Sequence, residues 1–227
     1  LAGTIGAWSY VGYASGRWSD GYRANGTSNA DAEYLAVHYA PLGKYFSVKA
    51  RGGHSRYVYR LPGPLSDAQF EADPRQSTRS RNYYSPNITV PSLVAAWGDS
   101  DWTRVTTTVS GVFGPRNSVQ VLGFANQPDL RDASGAFAPR QVDIDRFQSV
   151  TTETRVAHSW YWHRRKQVLA TGVALASNRM RRQQQGTGTR GDDYDLTVNA
   201  AGFQRDVTYR TENAAVYVEN LFRPTDR

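Results

Sequence analysis

Apolar and polar residues alternate one by one along several stretches of the chain. This spacing belongs to a strand with one apolar and one polar side. The clearest stretch is Thr103 to Phe113, where Val105, Thr107, Val109, Gly111 and Phe113 share one face and Arg104, Thr106, Thr108 and Ser110 the other. Tyr45 to Tyr57 repeats it, with Phe46, Val48 and Ala50 against Ser47, Lys49 and Arg51. Leu169, Thr171, Val173 and Leu175 oppose the small residues Ala170, Gly172, Ala174 and Ala176. Toward the end, Ala214, Val216, Val218 and Phe222 oppose Asn213, Tyr217 and Glu219. Weaker alternation predicts strands over 4–18, 32–39, 87–97 and 142–161; Pro91 in the third of these removes a ladder donor. The total is about eight strands. The confident ones are long enough to cross a bilayer, which takes about 9–11 residues on a tilted path.

The links between these strands differ by end. Aromatic residues flank short polar turns: Tyr39 and Tyr45 around Pro41–Lys44, Trp97 and Trp102 around Gly98–Asp101, Trp160 and Trp162 before His163–Lys166, Phe222 before Arg223–Asp226. The opposite links are long, near 19–31, 58–86, 114–141 and 178–205. Short turns at one end, long loops at the other and an aromatic belt on the turn side fit an antiparallel outer-membrane β-barrel. Trp and Tyr collect at such a boundary because each ring has an apolar body and a polar tip.

Composition is compatible with this reading. The mean hydropathy is −0.61, and no run of about 18 apolar residues marks a membrane helix. Strands escape that criterion because only alternate residues meet lipid. The chain has no cysteine, which removes disulfides and thiolate chemistry. The net charge is +7, carried mostly by arginine, since Lys occurs only at 44, 49 and 166. Guanidinium groups suit bidentate contact with carboxylate and phosphate, and the long loops hold many of them. A modestly positive loop end would concentrate an anionic ligand. The chain opens Leu1-Ala2-Gly3-Thr4, without Met or a signal peptide, and reads as a processed product or a fragment.

Other chemistry has little support. His38, His54, His158 and His163 do not recur at metal-ligand spacing, and no G-x-S-x-G elbow is present. Asp143-Ile144-Asp145 and Asp192-Asp193-Tyr194-Asp195 lack the glycine and glutamate of a calcium loop. Gly186-Thr187-Gly188-Thr189-Arg190-Gly191 lacks the Lys-Ser/Thr of a phosphate loop. The arginines do not line one helix, which argues against a nucleic-acid partner. The expectation is a non-enzyme with no catalytic residues, no metal site and no cofactor.

The run from Leu61 to Arg79, opening Leu61-Pro62-Gly63-Pro64-Leu65-Ser66, resembles the third-loop signature of TonB-dependent outer-membrane receptors. Ser19–Asn25 resembles the loop before it, and Gln141–Phe147 and Thr211–Phe222 resemble later barrel segments; ferric-citrate-type receptors are the most similar. The resemblance implies a barrel of about 22 strands around an N-terminal plug, of which the strands here would form roughly a third. It implies import of an anionic ferric chelate, ferric citrate or another ferric siderophore, across a bacterial outer membrane. TonB would act through the plug, and outer-membrane lipid would surround the wall. By segment alignment, the arginines that would meet the chelate are Arg116, Arg140 and Arg205. The chain departs from the family pattern in having no plug and no TonB box. Two other readings fit the alternation alone: a soluble all-β binding module such as a lectin-like sandwich, and a small barrel closed by its own eight strands.

Overall fold

In the computed structural model the described residues are all but 44, 99–101, 122, 125–126, 192–194 and 224–227. Nine strands form one antiparallel sheet in chain order: β1 (Ala2–Ile5), β2 (Trp8–Ser19), β3 (Ser28–Tyr39), β4 (Phe46–Arg60), β5 (Tyr83–Gly98), β6 (Thr103–Gln120), β7 (Gln141–Trp162), β8 (Arg165–Gly188) and β9 (Val198–Leu221). One helix, α1 (Asp67–Ala72), lies between β4 and β5. There is no second sheet among the described residues, so the fold is not a sandwich. The sheet order runs from β1 to β9 without joining them, so the strands do not close into a small barrel on their own.

The ninth strand comes from dividing the predicted 4–18 segment. Gly6, at φ 59°, turns the chain between β1 and β2, and Ile5 pairs with Trp8. The β7–β8 link is equally short. His163 and Arg164 both have positive φ, 50° and 65°, the conformation of a primed two-residue hairpin turn. At the other end the links are shorter than the alternation predicted, because the strands continue past it. β8 and β9 each run 24 residues, so most of the predicted 178–205 loop is paired strand. The predicted turn residues Lys44 and Asp99–Asp101, the acidic residues Asp192 and Asp193, and the final turn from Pro224 onward lie outside the described residues.

The register puts the apolar positions in line. Tyr10, Val37, Ala50, Leu93, Val109, Thr152, Leu175 and Ala214 are successive cross-strand partners on one face. The next row on that face includes Trp8, Tyr39, Val48, Ala95, Thr107, Thr154, Val173 and Val216. The opposite face carries Lys49, Thr108 and Glu153 in one row, and Arg51, Ser92, Ser110 and Thr151 in another. The apolar rows are not covered by protein: Val216 is 76% exposed and Leu175 52%. At their turn-side border stand Trp8 against Tyr39, with ring centroids 4.6 Å apart, and Trp162 against Phe222 at 5.2 Å.

The packed core lies elsewhere, at the loop end. Tyr83, Val119, Val142 and Ile144 are buried there, with Val58, Leu196, Val198 and Phe203 against them. Two glycines permit close approaches. Gly114 (φ 137°) lets β6 pass where a Cβ would lie 1.9 Å from the Asn87 carbonyl oxygen. Gly172 leaves room for the Tyr217 ring, whose hydroxyl then reaches Glu153.

Val173→Arg, in the middle of the exposed apolar rows, is expected to destabilise the protein folded into phospholipid vesicles by about 2–4 kcal/mol. Ser110→Arg on the polar face should cost less than about 1 kcal/mol, a surface-type change. Denaturant unfolding of both variants in vesicles measures the difference.

Candidate ligand-binding face

Beyond the exposed apolar rows the strands continue toward the loop end, where Tyr83, Val119, Val142 and Ile144 are packed. Four loops meet above them and are joined by arginine side chains. Arg23, between β2 and β3, donates from Nε to the Gln76 carbonyl at 2.9 Å and from Nη1 to the Gly63 carbonyl at 2.7 Å. Arg79 crosses from the β4–β5 loop to the β6–β7 loop, donating to the carbonyls of Phe124 (2.8 Å) and Gln127. Arg81 forms a fork on Asp129, Nε to Oδ2 at 2.6 Å and Nη2 to Oδ1 at 2.8 Å. Its Nη1 donates to the Ala138 carbonyl at 3.0 Å and to that of Gly191 at 3.2 Å. The two side chains are 0% and 2% exposed. Phe137 lies between two guanidinium carbons, Arg81 at 4.2 Å and Arg131 at 4.1 Å from its ring centre. Arg190 donates to the Phe137 carbonyl at 2.6 Å and to Asp132 at 2.5 Å.

Arg23, Arg79 and Arg81 are therefore structural ties between loops, a role that composition alone does not reveal. The α1 segment did carry a readable signal. Ser66 and Gln69 form a capping box, the side chain of each accepting from the backbone of the other.

The three arginines singled out from sequence occupy different environments. Arg116 is on β6 and faces the polar side. It donates from Nη2 to Asp145 Oδ2 at 2.5 Å, its side chain is 39% exposed, and its guanidinium lies 5.5 Å from the Phe147 ring centre. Asp145 also accepts both Nε (2.9 Å) and Nη2 (3.0 Å) of Arg182, which sequence reasoning did not single out. The register explains the convergence, since Arg116, Asp145 and Arg182 are direct partners across β6, β7 and β8. One carboxylate between two guanidiniums leaves a net positive group on this face. Arg205, on β9, donates to the Tyr209 hydroxyl at 2.6 Å and to Gln184 at 3.4 Å. Tyr209 pairs with Met180, next to the same cluster.

Arg140 stands apart from both. It sits at the root of the β6–β7 loop, 1% exposed, with Nη2 donating to Thr189 Oγ1 at 2.5 Å. It borders a cleft of about 290 Å³ together with Gln185, Thr187 and Gln204. The structure thus brings Arg116 and Arg205 to one face with Arg182, while Arg140 is buried at the loop base. Among the described residues, no three His, Asp or Glu side chains converge as a metal site would require.

No family model matches the chain, and no curated protein matches it. Solved structures do match it in fold. Unliganded FecA, a ferric citrate transporter, superposes with a TM-score of 0.80 at 16% identity, over 96% of this chain and 31% of FecA. FpvA of P. aeruginosa, solved bound to heterologous pyoverdines, gives 0.67 at 10% identity, over 99% and 32%. FpvAI in complex with pyocin S2 gives 0.64 at 9% identity, over 97% and 32%. At these identities the likeness is one of fold: a nine-stranded antiparallel wall resembling part of a receptor barrel. The chain spans about a third of the length of the structures it matches.

Arg81→Ala should destabilise the loop layer by about 3–5 kcal/mol, because Asp129 would remain buried without its counter-charge. Faster limited proteolysis within 121–140 is the readout. Asp132 responds to pH. Hydrogen bonds from Ser134 first, then from the Ala136 backbone and Arg190, hold its carboxyl at about 2, below the ordinary 3.8. A depressed folded-state value gives a contribution that is fully present above the ordinary value and is lost as pH falls through the folded one. Cleavage after Arg131 should therefore be constant from pH 8 to pH 5 and rise only well below pH 4; an increase already between pH 6 and 5 contradicts the assignment.

Proposed function

We propose that this chain is a section of the wall and loop-side mouth of an outer-membrane transporter that binds an anionic ferric chelate and carries it inward. The observation supporting this most directly is the Arg116–Asp145–Arg182 cluster on the polar face, with Arg205 and Tyr209 beside it. Guanidinium forks match carboxylates in planar pairs, and ferric citrate presents carboxylates around a negatively charged complex. The exposed apolar rows with their aromatic border support placement in a bilayer, with the polar face turned toward a barrel interior. The fold likeness to a ferric citrate transporter supports the same class of cargo. Citrate and other carboxylate chelates belong to that class, and a hydroxamate siderophore does so where further acidic groups make its ferric complex anionic.

Arg116 and Arg205 are proposed as direct contacts. Arg140, at the base of the β6–β7 loop, lines the cleft that a ligand would meet from above. In this reading the chain supplies no catalysis, and TonB acts through a plug domain outside these strands.

Binding of radiolabelled ferric citrate to the full-length receptor tests the reading. Arg116→Ala combined with Arg205→Ala should weaken binding about tenfold or more, the loss expected when charge-assisted hydrogen bonds at a site are removed. Adding Arg140→Ala should weaken it further. Unchanged affinity in the triple variant overturns the site. A hydroxamate chelate that binds equally well to wild type and triple variant would assign the arginines to carboxylate cargo alone.

A further inference from the structure

A second set of arginines stands on the apolar face, directly above the exposed rows. Arg179 on β8 and Arg210 on β9 are direct cross-strand partners, and Gln148 on β7 completes the row. One row further from the turns, Arg146 and Arg181 are partners on the same face. All four arginines are exposed. Arg181 is engaged by Asp206 at 2.9 and 2.6 Å, and Arg146 donates to Gln183 at 2.6 Å. Among the described residues, Arg179 and Arg210 have no hydrogen-bond or ion-pair partner. The nearest acid on this face, Glu212, accepts instead from Ser177, its partner one row closer to the turns, at 2.8 Å.

Two like charges directly opposite across a ladder destabilise the pair unless an anion lies between them. Here the pair occurs at one particular height. Leu175 and Ala214, in the uncovered apolar rows, are two pairs closer to the turns, and the aromatic border is on the far side of those rows. Twelve residues along the chain separate Phe222 in that border from Arg210, slightly more than the roughly 9–11 of one bilayer crossing for a tilted strand. Arginine at the polar edge of a lipid-facing surface sits among headgroups, where each one contributes about a fivefold attraction to an anionic surface.

We infer that Arg179 and Arg210, with Gln148 and Arg146 beside them, form a docking site for the phosphate of a lipid headgroup in the leaflet on the loop side. The site rests on the reading that the apolar rows face lipid, and it is distinct from the cargo site on the opposite face. A headgroup phosphate between the two guanidiniums relieves their repulsion while its acyl chains lie along Leu175, Val173 and Val216. The site would thus fix a lipid on the wall and hold β8 and β9 together just above the apolar rows.

Native mass spectrometry of the purified protein in a zwitterionic detergent tests this, with phosphatidic acid and phosphatidylcholine of identical chains as probes. Wild type should retain phosphatidic acid about thirtyfold better than phosphatidylcholine, and Arg179→Gln with Arg210→Gln should bring the ratio near one. Lys49→Gln, on the polar face, should leave the ratio unchanged. Equal retention of both lipids by wild type, or an unaltered ratio in the double variant, overturns the proposal. Displacement of the lipid by millimolar inorganic phosphate would show a free-phosphate site and overturn the commitment to lipid. A separate arm tests the premise, made simple by the absence of cysteine. A nitroxide on Val216→Cys should be relaxed by oxygen in vesicles and shielded from aqueous nickel. Shielding without lipid preference defeats the headgroup site alone, and nickel access at Val216 defeats the membrane reading itself.

Discussion

Everything in this structure depends on strand register. A strand places successive side chains on opposite faces, so sliding one strand by a single residue would exchange its apolar and polar sets. Here the same alternation is kept across every pairing, so that Val37, Ala50, Leu93, Val109, Thr152 and Leu175 fall in one row. The two-residue links at Gly6–Ala7 and His163–Arg164 hold that phase at their hairpins, because so short a turn allows one pairing only. The hydrogen-bond ladder and the segregation of faces are therefore a single constraint. Where the phase does change, between Val142 and Ile144 on β7 and between Gly186 and Gly188 on β8, it does so above the apolar rows and without cost to them. Gln185 adopts a positive φ there and donates its backbone N–H to Asp143.

With the faces assigned, arginine takes three roles by height and side. In the loop layer its donors serve backbone carbonyls that no strand partner reaches. Arg81 alone ties Asp129, Ala138 and Gly191. A lysine offers one compact charge and three donors, and could not span those carbonyls in a plane. On the polar face, Arg116 and Arg182 share Asp145 and keep exposed edges. On the apolar face, Arg179 and Arg210 are held opposite each other by register and have no acid between them. The same side chain is thus a cross-brace in the loop layer, and by proposal a preorganised binding group on the polar face and a headgroup contact on the apolar one, according to where the ladder places it.

The parts of the fold legible from sequence were those in which the two faces differ. Thr103–Phe113 and Leu169–Leu175 lie in the apolar rows, and their alternation marks them plainly. Above those rows both faces meet water or loop, so alternation vanishes while hydrogen bonding continues. Asn178 to Gly188 is strand in the structure but reads as polar loop in the sequence for that reason. The hairpin at Gly6 was hidden because small and aromatic residues alternate through 4–18 without marking which face is outside. Arg116 could be put near the mouth from its segment, but its partnership with Arg182 is a product of register across two hairpins. Arg81 gives no sequence signal at all, since a buried guanidinium and an exposed one look alike until the loop folds over it.

The Arg116–Asp145–Arg182 cluster balances charge against order. Without Asp145, two guanidiniums in neighbouring strands would repel and sample many rotamers, and an arriving anion would have to order both. With Asp145, 5% exposed and accepting from both, the groups are fixed on strands rather than on loops, and one unit of positive charge is neutralised. What remains is a net positive, rigid surface with spare N–H donors on Arg116. Such a surface favours a ligand that offers several carboxylates at once, because each new pair forms without further ordering of the protein. A monovalent anion meets the same donors but gains only one pair. In the proposed role such a wall would select for the number of carboxylates a ligand presents, and β9 would extend that selection through Arg205 and Tyr209 on the strand beside Arg182.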